Sequence, residues 1–157
     1  MRILVGVAER GAPELLAELD RVRPLREDEV LLAHVIDNGM RGEVELHRGH
    51  LMPRPLPQHR ARAIGEAERE AARLAAEEAA GVAVRMAAGV EVSVEEGEPG
   101  RVLSRLAELR GCDLVAVAAR VDRGDLRPGP HSVGHTARFV LDHSPRPVLL
   151  LRGAPQR

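Results

Sequence analysis

Asp113 to Leu151 reads DLVAVAARVDRGDLRPGPHSVGHTARFVLDHSPRPVLLL, and its reading decides the fold. Leu114–Ala118 is a short apolar run bounded by polar residues, as a strand buried on both faces would be. Ala119 to Pro130 is a loop rich in Gly, Pro and Arg. Thr136 to His143 has helical periodicity and is stopped by Ser144-Pro145. Val148–Leu151 is a second buried strand. A strand, a loop and a helix N-terminus in that order make a place for an anion, because loop amides and the helix dipole aim positive charge at one spot.

The chain upstream repeats the strand–helix alternation. Ile3–Val7 (ILVGV) reads as a buried strand, and Pro13 suits the first turn of a helix whose apolar face is Leu15, Leu16, Leu19 and Val22. Pro24 ends that helix. Val30–Ile36 (VLLAHVI) is the next strand. Residues 38–60 form a long irregular loop with Pro53, Pro55, Pro57, His47, His50 and His59. Residues 61–88 are Ala-, Glu- and Arg-rich and helical by propensity, with Ile64, Ala67, Ala71, Leu74 and Ala75 as the apolar face. Arg73 and Glu77 are spaced to pair. Val90–Val94 alternates as an edge strand does. Pro99 opens a helix whose stripe is Val102, Leu103, Leu106 and Leu109, capped by Gly111.

Alternating strands and helices with right-handed crossovers give an α/β fold. The expectation is one doubly wound domain over residues 1–157. Its parallel five-stranded sheet has the order 3-2-1-4-5, with helices on both faces. Ligands bind such sheets beyond the carboxyl ends of the strands where the order reverses, here Val7-Ala8 and Ala118-Ala119. Strand five is then an edge, yet Val148, Leu149, Leu150 and Leu151 show no polar alternation. A flat apolar edge invites pairing, and antiparallel pairing with a second copy predicts a two-fold homodimer.

Composition narrows the function. Apolar residues are 44% of the 157 and almost all aliphatic; Phe139 is the one aromatic among Phe, Tyr and Trp. That argues against base-stacking nucleic-acid modules, as a net charge of −1 without a basic block does against any nucleic-acid partner. No run approaches the ~20 apolar residues of a membrane span, and no secretory leader is evident at the start. One cysteine, Cys112, allows no internal disulfide and fits a reducing, cytoplasmic setting; its expected role is packing. His131 and His135 are four apart, but Gly129, Pro130 and Gly134 oppose a helix through them, so no metal site is expected. No nucleophile elbow or P-loop occurs, so no enzyme is expected. Phe139 falls opposite the stripe Val133, Ala137, Val140 and Leu141, as an exposed partner contact would.

Ile3–Val7, Glu96–Pro99 with its helix, and Gly134–Leu151 together resemble the universal stress protein family. In the last stretch Gly134, Ala137, Val140, Leu141, His143, Pro147, Val148 and Leu149 fit the family pattern. The resemblance implies a dimeric, cytoplasmic α/β protein from a family that divides in two. One branch binds ATP or AMP through Gly, two residues, Gly, nine residues, Gly, then Ser or Thr. Glycines let backbone approach phosphate, and a hydroxyl and amides bind its oxygens. The other branch lacks the motif and does not bind nucleotide; for this chain the alternative reading is a dimeric interaction module of the same fold that binds no nucleotide.

Here Gly124 and Gly134 keep the nine-residue spacing, but Val121 stands for the first glycine and His135 for the hydroxyl residue, with Thr136 next. Anchored instead on the strand end, the first glycine falls at Ala118. Ala8 stands where the binding branch has an Asp that holds the adenosine. Val35 matches the strand-two position whose backbone meets adenine, and Arg120, Arg123 and Arg127 offer phosphate contacts. By resemblance the ligand site is therefore Val7, Ala8, Val35, Ala118, Arg120, Val121, Gly124, Gly134, His135 and Thr136, for ATP or AMP. The need for Mg²⁺ is left open, and slow nucleotide hydrolysis is the weakest alternative.

Overall fold

The computed structural model describes residues 1–37, 58–119 and 133–152, with residues 58–61 as backbone only. Five strands and four helices alternate along these residues: β1 (Arg2–Val7), α1 (Ala12–Val22), β2 (Glu29–Asp37), α2 (Gln58–Ala83), β3 (Gly89–Gly97), α3 (Pro99–Leu109), β4 (Leu114–Ala118), α4 (His135–His143) and β5 (Val148–Leu151). The sheet is all parallel in the order β3-β2-β1-β4-β5. This is the predicted topology, with β1 at its centre.

β1 is central because it can be buried on both faces. Ile3, Leu4 and Val5 are fully buried, each worth roughly 1.5–3 kcal/mol of apolar transfer. Alternation divides them. Ile3, Val5 and Val7 pack with Val30, Leu32 and the α1 residues Leu15, Leu16 and Leu19, joined by Ala79 and Ala83 of α2. Leu4 packs on the other face with Leu31, Val115, Leu103, Leu106, Cys112 and Val140. Cys112 is thus a packing residue, and burial pushes its thiol above the ordinary cysteine value.

Local signals explain the helix limits. Gly11 precedes α1 in the left-handed region, and Arg23 is extended at its end, as a residue before Pro24 must be. Glu98 caps α3 by accepting from the N–H groups of Gly100 (3.0 Å) and Arg101 (2.8 Å). At the far end of α3 the Cys112 N–H donates to the Ala107 carbonyl at 2.9 Å.

Several faces differ from the sequence reading. α2 begins at Gln58, so residues 58–60 belong to a helix and not to the expected loop; residues 38–57 lie outside the described residues. The helix runs through Gly81 and ends at Ala83 rather than 88. There the chain must turn so that the Ala88 N–H reaches the Asp28 carbonyl at 2.9 Å. The α2 contact stripe is Gly65, Ala72, Ala76, Ala79 and Ala83, whereas Ile64, Ala67, Ala71 and Leu74 are exposed. Small side chains let this helix lie close to its neighbours; the bulkier ones fall outside the contact. Val22 and Leu109 are likewise exposed at helix ends, beyond the reach of the sheet. On β3 the side chain taken inside is Ser93, while Val92 and Val94 are exposed. Arg73 does pair with Glu77, at 2.6 Å.

The amino end of the sheet is held by charge. Asp28 is 3% exposed and meets the Met1 ammonium at 2.8 Å and the Arg23 guanidinium at 2.9 Å. The Arg2 N–H donates to the Asp113 carboxylate and the Asp113 N–H to the Arg2 carbonyl, each at 2.7 Å, and Glu91 bridges Arg2 and Arg110. Burial raises the Asp28 pKa, but hydrogen bonds from the Met1 amine and Arg23 outweigh it, and the net shift is downward. A depressed carboxyl contributes stability above its unfolded pKa and loses it as pH falls through the folded one. Asp28→Ala should therefore cost about 1.5–3 kcal/mol at pH 7, the worth of a hydrogen bond to a charged group. Its stability should also vary less than wild type's below about pH 4, where the unfolded carboxyl titrates. Urea titrations from pH 7 to pH 3 measure both.

Candidate functional site

The site is built where β1 and β4 end side by side. Val7 is buried and Ala8, just past it, is exposed; Ala118 is exposed at the end of β4, and Ala119 turns inward with its N–H bonded to the Leu151 carbonyl at 2.7 Å. Beyond β1 the chain turns at Gly11 into α1. β2 extends past both, carrying His34 opposite Val7 and the half-buried Val35 on the opposite face, against the Leu4 cluster. β1 and β4 thus end short of β2 at the point where the strand order reverses, a position called the notch below.

α4 supplies the polar wall. Gly134 precedes it at φ 91°, ψ 155°, a conformation open to glycine and strained for other residues, which accounts for glycine here. His135 is the first residue of the helix and is exposed; Thr136 is half-buried. The first-turn amides of a helix point out along its axis with the positive end of the dipole behind them. Opposite them stands Glu98, whose Oε1 is 3.8 Å from His135 Nε2. Thus a carboxylate already lies near the start of α4.

α3 and α4 meet closely behind this wall. A Cβ added at Gly100 would sit 2.6 Å from the Cβ and 2.7 Å from the Cγ of Phe139. Phe139 is therefore half-buried against the first turn of α3, where the helical wheel places it exposed. Its ring stacks on His143 at 4.1 Å between centroids, with the Arg101 guanidinium 5.7 Å away. Leu141, assigned to the buried stripe, is exposed, while Ala137 and Val140 are buried.

Of the ten site residues expected from sequence, the structure brings Val7, Ala8, Val35, Ala118, Gly134, His135 and Thr136 to the carboxyl end of the sheet. Arg120, Val121 and Gly124 lie outside the described residues, as do Arg123, Arg127 and His131. Sequence reasoning missed two residues here. Glu98 was read only as part of a helix start. His34 sits inside an apolar strand run, where nothing in the pattern separates a packed ring from a polar one. His34 is 5% exposed and its Nδ1 is buried without a hydrogen-bond partner. Burial holds its pKa below the ordinary imidazole value; the charge of Glu9 and a backbone hydrogen bond with Val7 pull the other way and do not prevail. No group of three or more His, Cys, Asp or Glu among the described residues is arranged to hold a metal, and no described helix is long and apolar enough to cross a membrane.

Comparison with known proteins agrees with this architecture. The sequence model of the universal stress protein family matches residues 1–152. The chain belongs to that family. Among solved structures it is similar to universal stress protein UspA from Lactobacillus plantarum, with TM-score 0.70, 20% identity, and 97% of each chain covered. It also resembles the Archaeoglobus fulgidus universal stress protein in complex with dAMP, with TM-score 0.57, 18% identity and 96% of each chain covered. A family member from Arabidopsis thaliana with AMP bound gives TM-score 0.61 and 15% identity, covering 99% of this chain and 93% of that one. No curated protein sequence matches significantly.

The Gly100–Phe139 contact sets the distance between the two helices that flank the notch. Gly100→Ala should lower stability by about 1–3 kcal/mol through overpacking. In a Phe139→Ala background the same change should cost much less, because residues in contact are coupled. Chemical denaturation of the four proteins of the cycle measures the coupling, and additive costs would contradict the contact.

Proposed function

We propose that this chain is an adenine-nucleotide-binding member of its family, binding ATP or AMP in the notch beyond β1 and β4 and working as a homodimer in the cytoplasm. The observation that carries the reading is the placement of the α4 first turn, with Gly134, His135 and Thr136, at the carboxyl ends of the two strands where the order reverses. Helix amides there suit a phosphate, and the Val35 backbone at the end of β2 suits a flat base. Structural relatives with the same fold carry AMP or dAMP. Binding without turnover is part of the proposal, and release of phosphate from ATP by the purified protein would contradict it. The single buried thiol supports a reducing compartment.

A second reading has its own support: a dimeric interaction module that takes no nucleotide. Glu98 places negative charge near the start of α4, and Ala8 offers no polar group. Thermal denaturation with AMP, ATP and cyclic AMP, with and without Mg²⁺, separates the two. A site with Kd near 10 μM stabilises the fold by about 2.7 kcal/mol at 1 mM ligand. A raised Tm supports the nucleotide reading. No shift with any of the three supports the interaction module.

The dimer is proposed to form through β5, an edge of the sheet. The Val115 N–H donates to the Pro147 carbonyl and the Ala119 N–H to that of Leu151. In a parallel ladder that turns the backbone groups of Pro147, Leu149 and Leu151 toward β4, and those of Val148 and Leu150 outward. Leu150→Pro removes an outward N–H and leaves the β4 bonds in place. Light scattering should show a wild-type dimer and a folded monomeric variant; an unaltered dimer would place the interface elsewhere.

A further inference from the structure

The first turns of α3 and α4 are neighbours at the carboxyl end of the sheet. Gly100 of α3 meets Phe139 of α4. Glu98, the N-cap of α3, lies 3.8 Å from His135, the first residue of α4. Helix N-termini set side by side attract an anion, and here the chain supplies one itself. Glu98 Oε1 accepts from the Gly100 N–H at 3.0 Å and Oε2 from the Arg101 N–H at 2.8 Å. Both are charge-assisted bonds, and moving the carboxylate clear of α4 gives up both. Its neighbours leave its charge largely standing. The Arg101 guanidinium is 3.8 Å from Oε2, but its side chain is 78% exposed, and solvent screens such a pair. Arg138 of α4 faces Asp142 instead, at 3.9 Å. The imidazole of a histidine offsets a carboxylate only when protonated.

A fixed carboxylate at the start of α4 therefore acts where the phosphate of a nucleotide would be received. It needs no contact with the ligand, because charges are felt over about 8–10 Å at ordinary salt. It opposes a bound phosphate by an amount that grows with the phosphate's own charge. The uncharged nucleoside part is not opposed. We propose that Glu98 is the charge-selectivity residue of the notch, favouring nucleotides of low phosphate charge and disfavouring ATP against AMP. The proposal rests on the nucleotide reading above and narrows its ligand to an adenine nucleotide with a single phosphate.

Isothermal titration of the full chain without Mg²⁺ tests it, with AMP, the methyl phosphodiester of AMP and ATP as probes. The pH is held at about 8, where imidazoles are neutral. There the AMP phosphate carries about two negative charges and its methyl ester about one. Wild type is compared with Glu98→Gln, Glu98→Asn and Glu98→Asp. Gln and Asn remove the charge, and Asn is itself a good N-cap; Asp keeps both charge and cap. The neutral variants should bind the methyl ester about threefold and AMP about tenfold more tightly than wild type, a constant factor per unit of ligand charge. ATP should gain at least as much as AMP, and Glu98→Asp should keep the wild-type preference. Equal factors for the three ligands, or no gain, overturn the inference and leave the nucleotide reading standing. Binding by the neutral variants alone supports the inference and overturns the nucleotide reading for the native chain. No binding by any of the proteins overturns both. Should neither neutral variant fold, wild type decides: it should bind AMP more tightly than ATP, and the reverse order overturns the proposal.

Discussion

The structure depends on β1 pairing in parallel on both sides at once. Residues 2–7 are in register with β2 from Glu29 to His34, and residues 3–6 with β4 from Leu114 to Val117. A strand bonded along both edges and covered on both faces must be apolar throughout its middle, and Ile3, Leu4 and Val5 are fully buried. The same double pairing fixes where the sheet reverses order. β2 and β4 lie on opposite sides of β1, and ligands of such sheets bind beyond the carboxyl ends of the strands where the order reverses. The notch is a consequence of the pairing, before any side chain lines it.

The two ends of the sheet then carry different chemistry. At the amino end, buried Asp28 and the Arg2–Glu91–Arg110 bridge hold strands and connections in one place. Removing one partner of an ion pair that includes a buried carboxylate is costly, because it leaves a charge uncompensated. At the carboxyl end the groups are differently placed: the first turn of α4, the exposed Ala8 and Ala118, Glu98 beside His135, and a buried imidazole with one nitrogen unengaged.

Most of the architecture was legible in the sequence because strands buried on both faces read as unbroken apolar runs. β4 and β5 match their expected limits, Leu114–Ala118 and Val148–Leu151. Helix faces were less legible. In α2, Ala occupies every side of the helix, so periodicity has little contrast, and bulk drew attention to Ile64 and Leu74, which are exposed. Phe139 shows the same limit. A wheel places it off the main stripe, but Gly100 on the neighbouring helix leaves the room that takes it in. The notch residues Val7, Val35 and Gly134 could be placed by strand ends and by family pattern. His34 could not, since a histidine within VLLAHVI differs from a packed one by the partner of a single nitrogen, which only three-dimensional placement decides.

The central claim is that the carboxyl ends of β1, β2 and β4, with the first turn of α4, form a nucleotide site. An amide-resolved nuclear magnetic resonance titration with AMP tests it most directly. The account predicts saturable shifts in Val7, Ala8, Val35, Ala118, His135 and Thr136, with Asp28, Glu91 and Asp113 at the other end unmoved. Shifts centred on the amino end, or none at saturating AMP, would contradict it.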